Sequence, residues 1–339
     1  MTLVKINSLW MRTLVGLAFA GGLLAWRIAQ PPPAGLVTIQ RTLMGTIWRI
    51  EVEDSGRPEP ARQAVQAAYA ELDRIDRMMS EWKPESPISQ VNAAAGKGPV
   101  EVPGELVDLL KRSIEYSRRS GGTFDVTWRG MGKIWHFDDS FTVPSREAVE
   151  AARKHIDYRK ISIDGNRVSI PAGTNIGLGG IAKGYAVDRA GQVLRRAGFA
   201  NWLVDGGGDI LVAGTRAGQS WRLGVQDPRS EHGNLIGVAE VKDRAFVTSG
   251  DYERFRIVGG VRYHHIIDPR TGWPADAASS VTILAPSAEQ GVVFAKVVFI
   301  LGAERGLKLA QAEGLEALLI DTRGERHATP GFPALAGEP

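Results

Sequence analysis

Apolar residues return at helical spacing between Pro60 and Met79, with Ala64, Ala67, Ala68, Leu72 and Ile75 on one face, which predicts an amphipathic helix. A second helix is expected over Val102–Ser120, entered through Pro103 and ended by Gly121-Gly122. A third is expected over Ile181–Ala197, behind Gly179-Gly180, and two late ones over Ala288–Leu301 and Glu304–Glu313. Between them lie short strand patterns: Thr46–Glu53, Lys160–Ile163, Arg167–Ile170, Trp202–Val204, Ile210–Ala213, Trp221–Val225, Val238–Val241, Val281–Leu284 and Ala317–Ile320. Asp164-Gly165 is a hairpin signal. Strand and helix do not alternate strictly, and no repeat of fixed period is present. The pattern predicts an α+β fold: a largely antiparallel sheet with flanking helices.

The N-terminus has a different pattern. Lys5 and Arg12 precede an apolar run, Thr13–Trp26, which is followed by Arg27 and by Pro31-Pro32-Pro33. A basic flank before a short apolar stretch makes an export signal. The run is short of the roughly 20 residues that span a bilayer, so both a cleaved signal peptide and a signal anchor remain open. The expected layout is signal 1–30, a Pro-rich linker 31–41 and one domain over 42–330, facing the periplasm or another extracytoplasmic space.

Composition narrows the chemistry. With 43% hydrophobic and 23% charged residues the chain can bury a large core. It has no cysteine, which removes disulfides, thiolate nucleophiles and cysteine metal sites. The formal net charge is only +3, and no block of Lys/Arg interleaves with aromatics, which argues against nucleic acid.

Five stretches carry candidate chemistry. Leu43-Met44-Gly45-Thr46 is either a plain strand entry or a ligand-lining turn. Met79-Ser80-Glu81-Trp82-Lys83-Pro84 sets an aromatic in a Pro-interrupted loop, where it either packs or stacks on a planar ligand. Ser120-Gly121-Gly122-Thr123-Phe124-Asp125 follows a helix and reads first as a C-cap. Leu178-Gly179-Gly180-Ile181-Ala182-Lys183-Gly184-Tyr185-Ala186 opens a helix, whose first N–H groups and positive end suit phosphate. It lacks P-loop spacing, and Gly206-Gly207-Gly208-Asp209 is no dinucleotide fingerprint. The last stretch joins Thr248-Ser249-Gly250-Asp251-Tyr252 to Tyr263-His264-His265-Ile266-Ile267-Asp268-Pro269-Arg270-Thr271-Gly272. Strand alternation sends its two histidines to opposite faces, one structural and one toward a cleft.

In this order and spacing the five stretches closely resemble the ApbE family over residues 42–321. The resemblance implies an enzyme that binds FAD and moves its FMN half onto a Thr or Ser hydroxyl of an acceptor protein, releasing AMP. By resemblance Met44, Trp82, Thr123, Phe124, Asp125 and Lys183 line the FAD cleft, and Ser249, Gly250, Tyr252 and Ile266 complete its flavin side. Trp82 stands where the family often has Tyr. His265 matches the reactive-centre histidine, a base with an ordinary pKa near 6.5, and Asp268 fixes its surroundings. The implied acceptors are flavin-carrying subunits of exported or membrane redox systems. A carrier that binds FAD without catalysis and an FAD pyrophosphatase are the alternatives.

One departure concerns metal. The family's Mg²⁺ is held by an Asp and a Thr four residues apart on the late helix and by a backbone oxygen near Ala182. Counting back from Phe299-Ile300-Leu301-Gly302, the two side-chain positions are Val292 and Lys296, and an Asp usual before Leu-Gly-Gly is Gly177. Lys296 is the only charged residue between Val292 and Leu301. The expectation is that its ammonium stands in for the metal. One positive charge about 4 Å from a phosphate oxygen contributes roughly 4 kcal/mol at an effective dielectric of 20. The competing expectation is that Lys296 reaches solvent from the helix edge.

Overall fold

Strand β1 (Leu36–Leu43) turns through Met44-Gly45 into β2 (Thr46–Glu53), with Leu43 opposite Thr46. Both turn residues have positive φ, 50° at Met44 and 73° at Gly45, as a two-residue hairpin requires. The computed structural model describes residues 35–337 except 231–232. The expected signal over 1–30 and the prolines at 31–33 lie outside the described residues. Among the described residues no helix is long and apolar enough to cross a membrane. Residues 36–41, expected to be linker, are part of β1. Its polar run Gln40-Arg41-Thr42 hides the alternation, because this strand lies at the sheet edge.

The helices are α1 (Pro58–Met79), α2 (Pro87–Ala93), α3 (Gly104–Arg119), α4 (Arg146–Arg153), α5 (Ala182–Arg196) and α6 (Ala288–Ala312). Within α6, Gly302 has φ 76° and ψ −177°, a break between the two late helices that were expected. In α1 the buried stripe runs through Ala64, Val65, Ala68, Tyr69, Leu72 and Ile75, whereas Ala67 is exposed, contrary to expectation.

The remaining strands are β3 (Val100–Glu101), β4 (Ser162–Asp164), β5 (Arg167–Ser169), β6 (Trp202–Gly206), β7 (Asp209–Ala213), β8 (Trp221–Gln226), β9 (Leu235–Val241), β10 (Ala245–Gly250), β11 (Phe255–Val258), β12 (Val261–His264), β13 (Ser280–Ala285), β14 (Glu316–Ile320) and β15 (Arg326–Ala328). Eight form one antiparallel sheet in the order β1-β2-β6-β7-β10-β13-β14-β15.

Period-two alternation gives this sheet two apolar faces. Trp202, Val204, Ala245 and Val247 point into the main core with α1, α5 and α6, while Leu203, Val212 and Phe246 join Trp221, Leu223 and Val225 of the β8–β9 ribbon on the other side. Ala336 bridges to Val238, so the ordered fold runs past the expected end at 330. A third, smaller cluster gathers Met131, Trp135, Val149 and Ile267 beneath a rim of aromatics.

Two contacts lock the helices that carry the candidate site. A Cβ on Gly184 would lie 2.4 Å from the Ala288 oxygen and 2.6 Å from Val292 Cγ2, so α5 and α6 touch backbone to backbone there. One turn on, the Asp188 carboxylate accepts from the Ala288 and Glu289 N–H groups at 2.7 and 2.8 Å and occupies the start of α6.

Candidate active site

The start of α5, the middle of α6 and the segment after β12 converge on one space. A Cβ on Gly180 would meet the Phe124 ring at 3.0 Å and Lys296 Cδ at 3.9 Å, which puts all three at one wall. Lys296 donates to its own helix, to the Val292 carbonyl at 2.9 Å. Burial pushes its ammonium down to about 8, with the Asp209 charge opposing and Lys183 adding to the fall. Lys296 is thus half-buried, with its ammonium among charged groups. Lys183 itself ion-pairs with the buried Asp209 at 2.8 Å, which raises its pKa. Lys183, expected to line the FAD cleft, has much of its charge met by Asp209.

The adjacent histidines divide their roles. His264 is buried, its Nε2 bonds the Ala275 oxygen at 2.7 Å, and its Nδ1 accepts from the Ile266 N–H at 3.2 Å. That network fixes the proton on Nε2 and makes His264 a satisfied structural residue. His265 Nδ1 is buried with no partner. Burial lowers His265 to about 3, helped by the neighbouring His264, Lys296 and Arg254. The expected base of ordinary pKa is in fact a neutral imidazole kept neutral by its surroundings. Thr123 Oγ1 is a second buried atom without a partner. Buried polar atoms in folded proteins are nearly always paired, so two orphans at the expected FAD cleft mark a place for ligand polar atoms.

At the cleft edge Trp82 is 76% exposed, and the Arg129 guanidinium stacks on its ring at 4.3 Å. The two line a shallow cavity of about 330 Å³ together with Glu81, Asn92, Lys133 and Asn175. Glu81, which sequence reasoning did not single out, accepts from the Leu178 N–H at 2.8 Å and pairs with Arg129 at 3.1 Å. The glycine-opened turn was expected to leave N–H groups free for phosphate. Of these, Glu81 takes that of Leu178, and those of Ile181 and Ala182 bond back to the Leu178 oxygen.

Other expected site residues have structural partners. Asp125 accepts from the Thr127 N–H and hydroxyl and, through its other oxygen, from the Tyr158 N–H at 2.9 Å, so it ties its loop down. Asp268 pairs with Arg270 at 2.7 Å and accepts from the Arg270 N–H, shaping the Asp-Pro-Arg-Thr-Gly turn. It positions the chain after His265. Gly250 is dictated by Tyr252, whose ring atom would lie 2.2 Å from a Cβ there. Burial pushes the Tyr252 phenol up to about 12, which leaves it a neutral donor. Ser249 and Ile266 are buried beside these groups, and Met44 is half-buried against the main core.

The residues do not fit a Mg²⁺ held from α6. Val292 has no donor atom and is buried against Gly184, and Lys296 brings a cation. Ala182 begins α5, so its carbonyl lies within that helix's own hydrogen-bond ladder. At Gly177 a Cβ would stand 3.0 Å from Arg129 Cβ and 3.4 Å from Glu81 Oε2, so the space for an Asp is filled by the Arg129–Glu81 pair.

Residues 44–319 match the model of the ApbE family. A protein named FAD:protein FMN transferase from Treponema pallidum is 33% identical over 298 residues, 82% of each chain. One of the same name from Vibrio cholerae is 30% identical over 85% of this chain and 88% of its own. Among solved structures, the ApbE protein of Thermotoga maritima superposes with a TM-score of 0.81 at 33% identity, covering 87% of this chain and 97% of that one. The flavin transferase ApbE of Vibrio cholerae gives 0.80 at 30% identity, with coverage of 88% and 99%.

Proposed function

The chain belongs to the ApbE family, and on that premise we propose that it is an FAD:protein FMN transferase. The observation that carries this reading is the unpartnered His265 Nδ1 within a cleft that also holds Lys296 and the orphan Thr123 hydroxyl. In the reaction the oxygen of an acceptor Thr or Ser attacks the FMN-side phosphorus of FAD. A new P–O bond forms, the bond to the bridging oxygen breaks, and its electron pair leaves with AMP. The acceptor's proton passes to His265 Nδ1, which is neutral and free to take it. In the empty cleft this imidazole is a weak base. The negative pyrophosphate strengthens it on arrival, since nearby negative charge favours the protonated form.

The exposed Trp82 face is suited to stacking on a planar ring of FAD, with Arg129 backing its other side. The acceptor class is read as a flavin-carrying subunit of an exported or membrane redox system. Export itself is read from Lys5, Arg12 and the apolar run Thr13–Trp26, which serves either as a cleaved signal peptide or as a membrane anchor.

The test is incubation with FAD and a candidate acceptor, followed by denaturation. Flavin fluorescence that stays with the acceptor, together with one AMP released per flavin attached, supports transfer. AMP release without labelled protein points to hydrolysis, and FAD retention with neither product points to a carrier.

A further inference from the structure

We infer that the ammonium of Lys296 grips the FAD pyrophosphate directly, so that this enzyme binds and transfers flavin without a divalent ion. The inference rests on the transferase reading and names the group that does the metal's work in it.

Three observations converge. The first is charge balance. Lys183 is ion-paired with Asp209 at 2.8 Å, whereas among the described residues Lys296 hydrogen-bonds only the Val292 carbonyl of its own helix and shares the Asp209 charge from farther away. An ammonium has three donors, so two remain for a ligand. One carboxylate facing two ammonium groups leaves a net positive charge that an anionic ligand would balance.

The second is position. Lys296 Cδ lies against Gly180 and Phe124, and its charge bears on His265, Lys183 and Asp209. The cation thus stands beside the imidazole that takes the acceptor's proton. That is where the phosphorus under attack must sit, and where negative charge collects as the P–O bond to AMP breaks.

The third is that the space for a metal is closed by built contacts. Val292 packs its methyl on Gly184, and Arg129 with Glu81 fills the volume beside Gly177. An apolar contact and a salt bridge replace two oxygen positions, and a fixed cation stands at a third.

The experiment measures FAD affinity by flavin fluorescence, with covalent transfer in parallel, in excess chelator and in added Mg²⁺. Wild-type affinity is expected to agree within about twofold between the two buffers. Lys296→Met, which keeps the length and apolar stem, is expected to weaken FAD by about tenfold to a hundredfold in both, the usual effect of losing a charged hydrogen bond. Circular dichroism checks its fold, and Lys296→Thr serves as the second variant. Val292→Asp with Lys296→Thr restores oxygen donors, and its FAD binding should become dependent on Mg²⁺. Wild-type affinity that falls tenfold or more in chelator and returns with Mg²⁺ overturns the assignment, as does unchanged FAD binding by both Lys296 variants. If wild type retains no FAD in either buffer, the transferase reading itself has failed.

Discussion

Asp209 on β7 meets Lys183 in the first turn of α5 at 2.8 Å, joining the sheet to the helix at the floor of the cleft. Removing one member of a buried pair leaves the other uncompensated, at a cost of about 3 kcal/mol. Lys183→Met is therefore expected to lower unfolding free energy in urea by about that amount, discounted for the partial exposure of Lys183. Lys183→Met with Asp209→Leu should recover most of the loss. A double variant no more stable than Lys183→Met would show that the pair is not coupled.

His265 sets a pH dependence of stability with a definite sign. Its folded pKa is lowered to about 3 from an ordinary 6.5. Between those values the unfolded chain binds a proton that the folded chain refuses. Stability therefore falls as pH falls through the window and has no dependence from this residue above it. Against His265→Asn, the wild-type unfolding free energy should drop progressively from pH 6.5 to pH 5, by up to about 1.4 kcal/mol per pH unit, with Tm falling in step. Parallel pH curves for the two proteins would contradict the burial assigned to this ring.

The same residue is expected to dominate rate. His265→Ala should retain FAD and lose flavin transfer by about a hundredfold to ten-thousandfold, the range for removing a positioned base. Single-turnover labelling of an acceptor at saturating FAD measures this directly. Full activity in His265→Ala would remove it from the mechanism.

Trp82 offers a test free of folding effects, because its side chain is mostly in solvent. Trp82→Ala should weaken FAD by about tenfold, the usual scale of one lost aromatic stack on a base. Tm should stay unchanged, and Trp82→Tyr should stay close to wild type. Equal affinity in all three proteins would move the ligand's rings elsewhere.

Gly184→Ala probes the helix contact behind the site. The added Cβ meets backbone at 2.4 Å, so α5 and α6 must part. The expected loss is about 2 kcal/mol, the scale of core overpacking, read by thermal or urea unfolding.

The helices that hold the site were legible because their periodicity is strong and their ends are marked by Pro103, Gly121-Gly122 and Gly179-Gly180. Trp82 and His265 could be singled out by their motifs, and Lys296 by its departure from one. The pairings were not. Glu81 caps Leu178 from 97 residues away, and Lys183 finds Asp209 across the sheet. The Gly206-Gly207-Gly208-Asp209 run was visible, but only the fold shows that its aspartate faces the lysine. That Asp125 ties a loop was hidden too, because a buried carboxylate with loop partners leaves no mark of them in sequence. Strands such as Phe255–Val258 and Arg326–Ala328 carry too little alternation to be seen before their neighbours are known.

The starts of both long helices at the cleft are already occupied by carboxylates, Glu81 over the turn leading into α5 and Asp188 at α6. Carboxylates there offset part of the positive end of each helix, which leaves more of the attraction for an anion to side-chain amines. Amines, unlike peptide groups, can be carbamylated or acetylated. Burial that lowers the Lys296 pKa favours the free amine, so the proposed grip on flavin would be open to chemical silencing, with bound FAD as its shield.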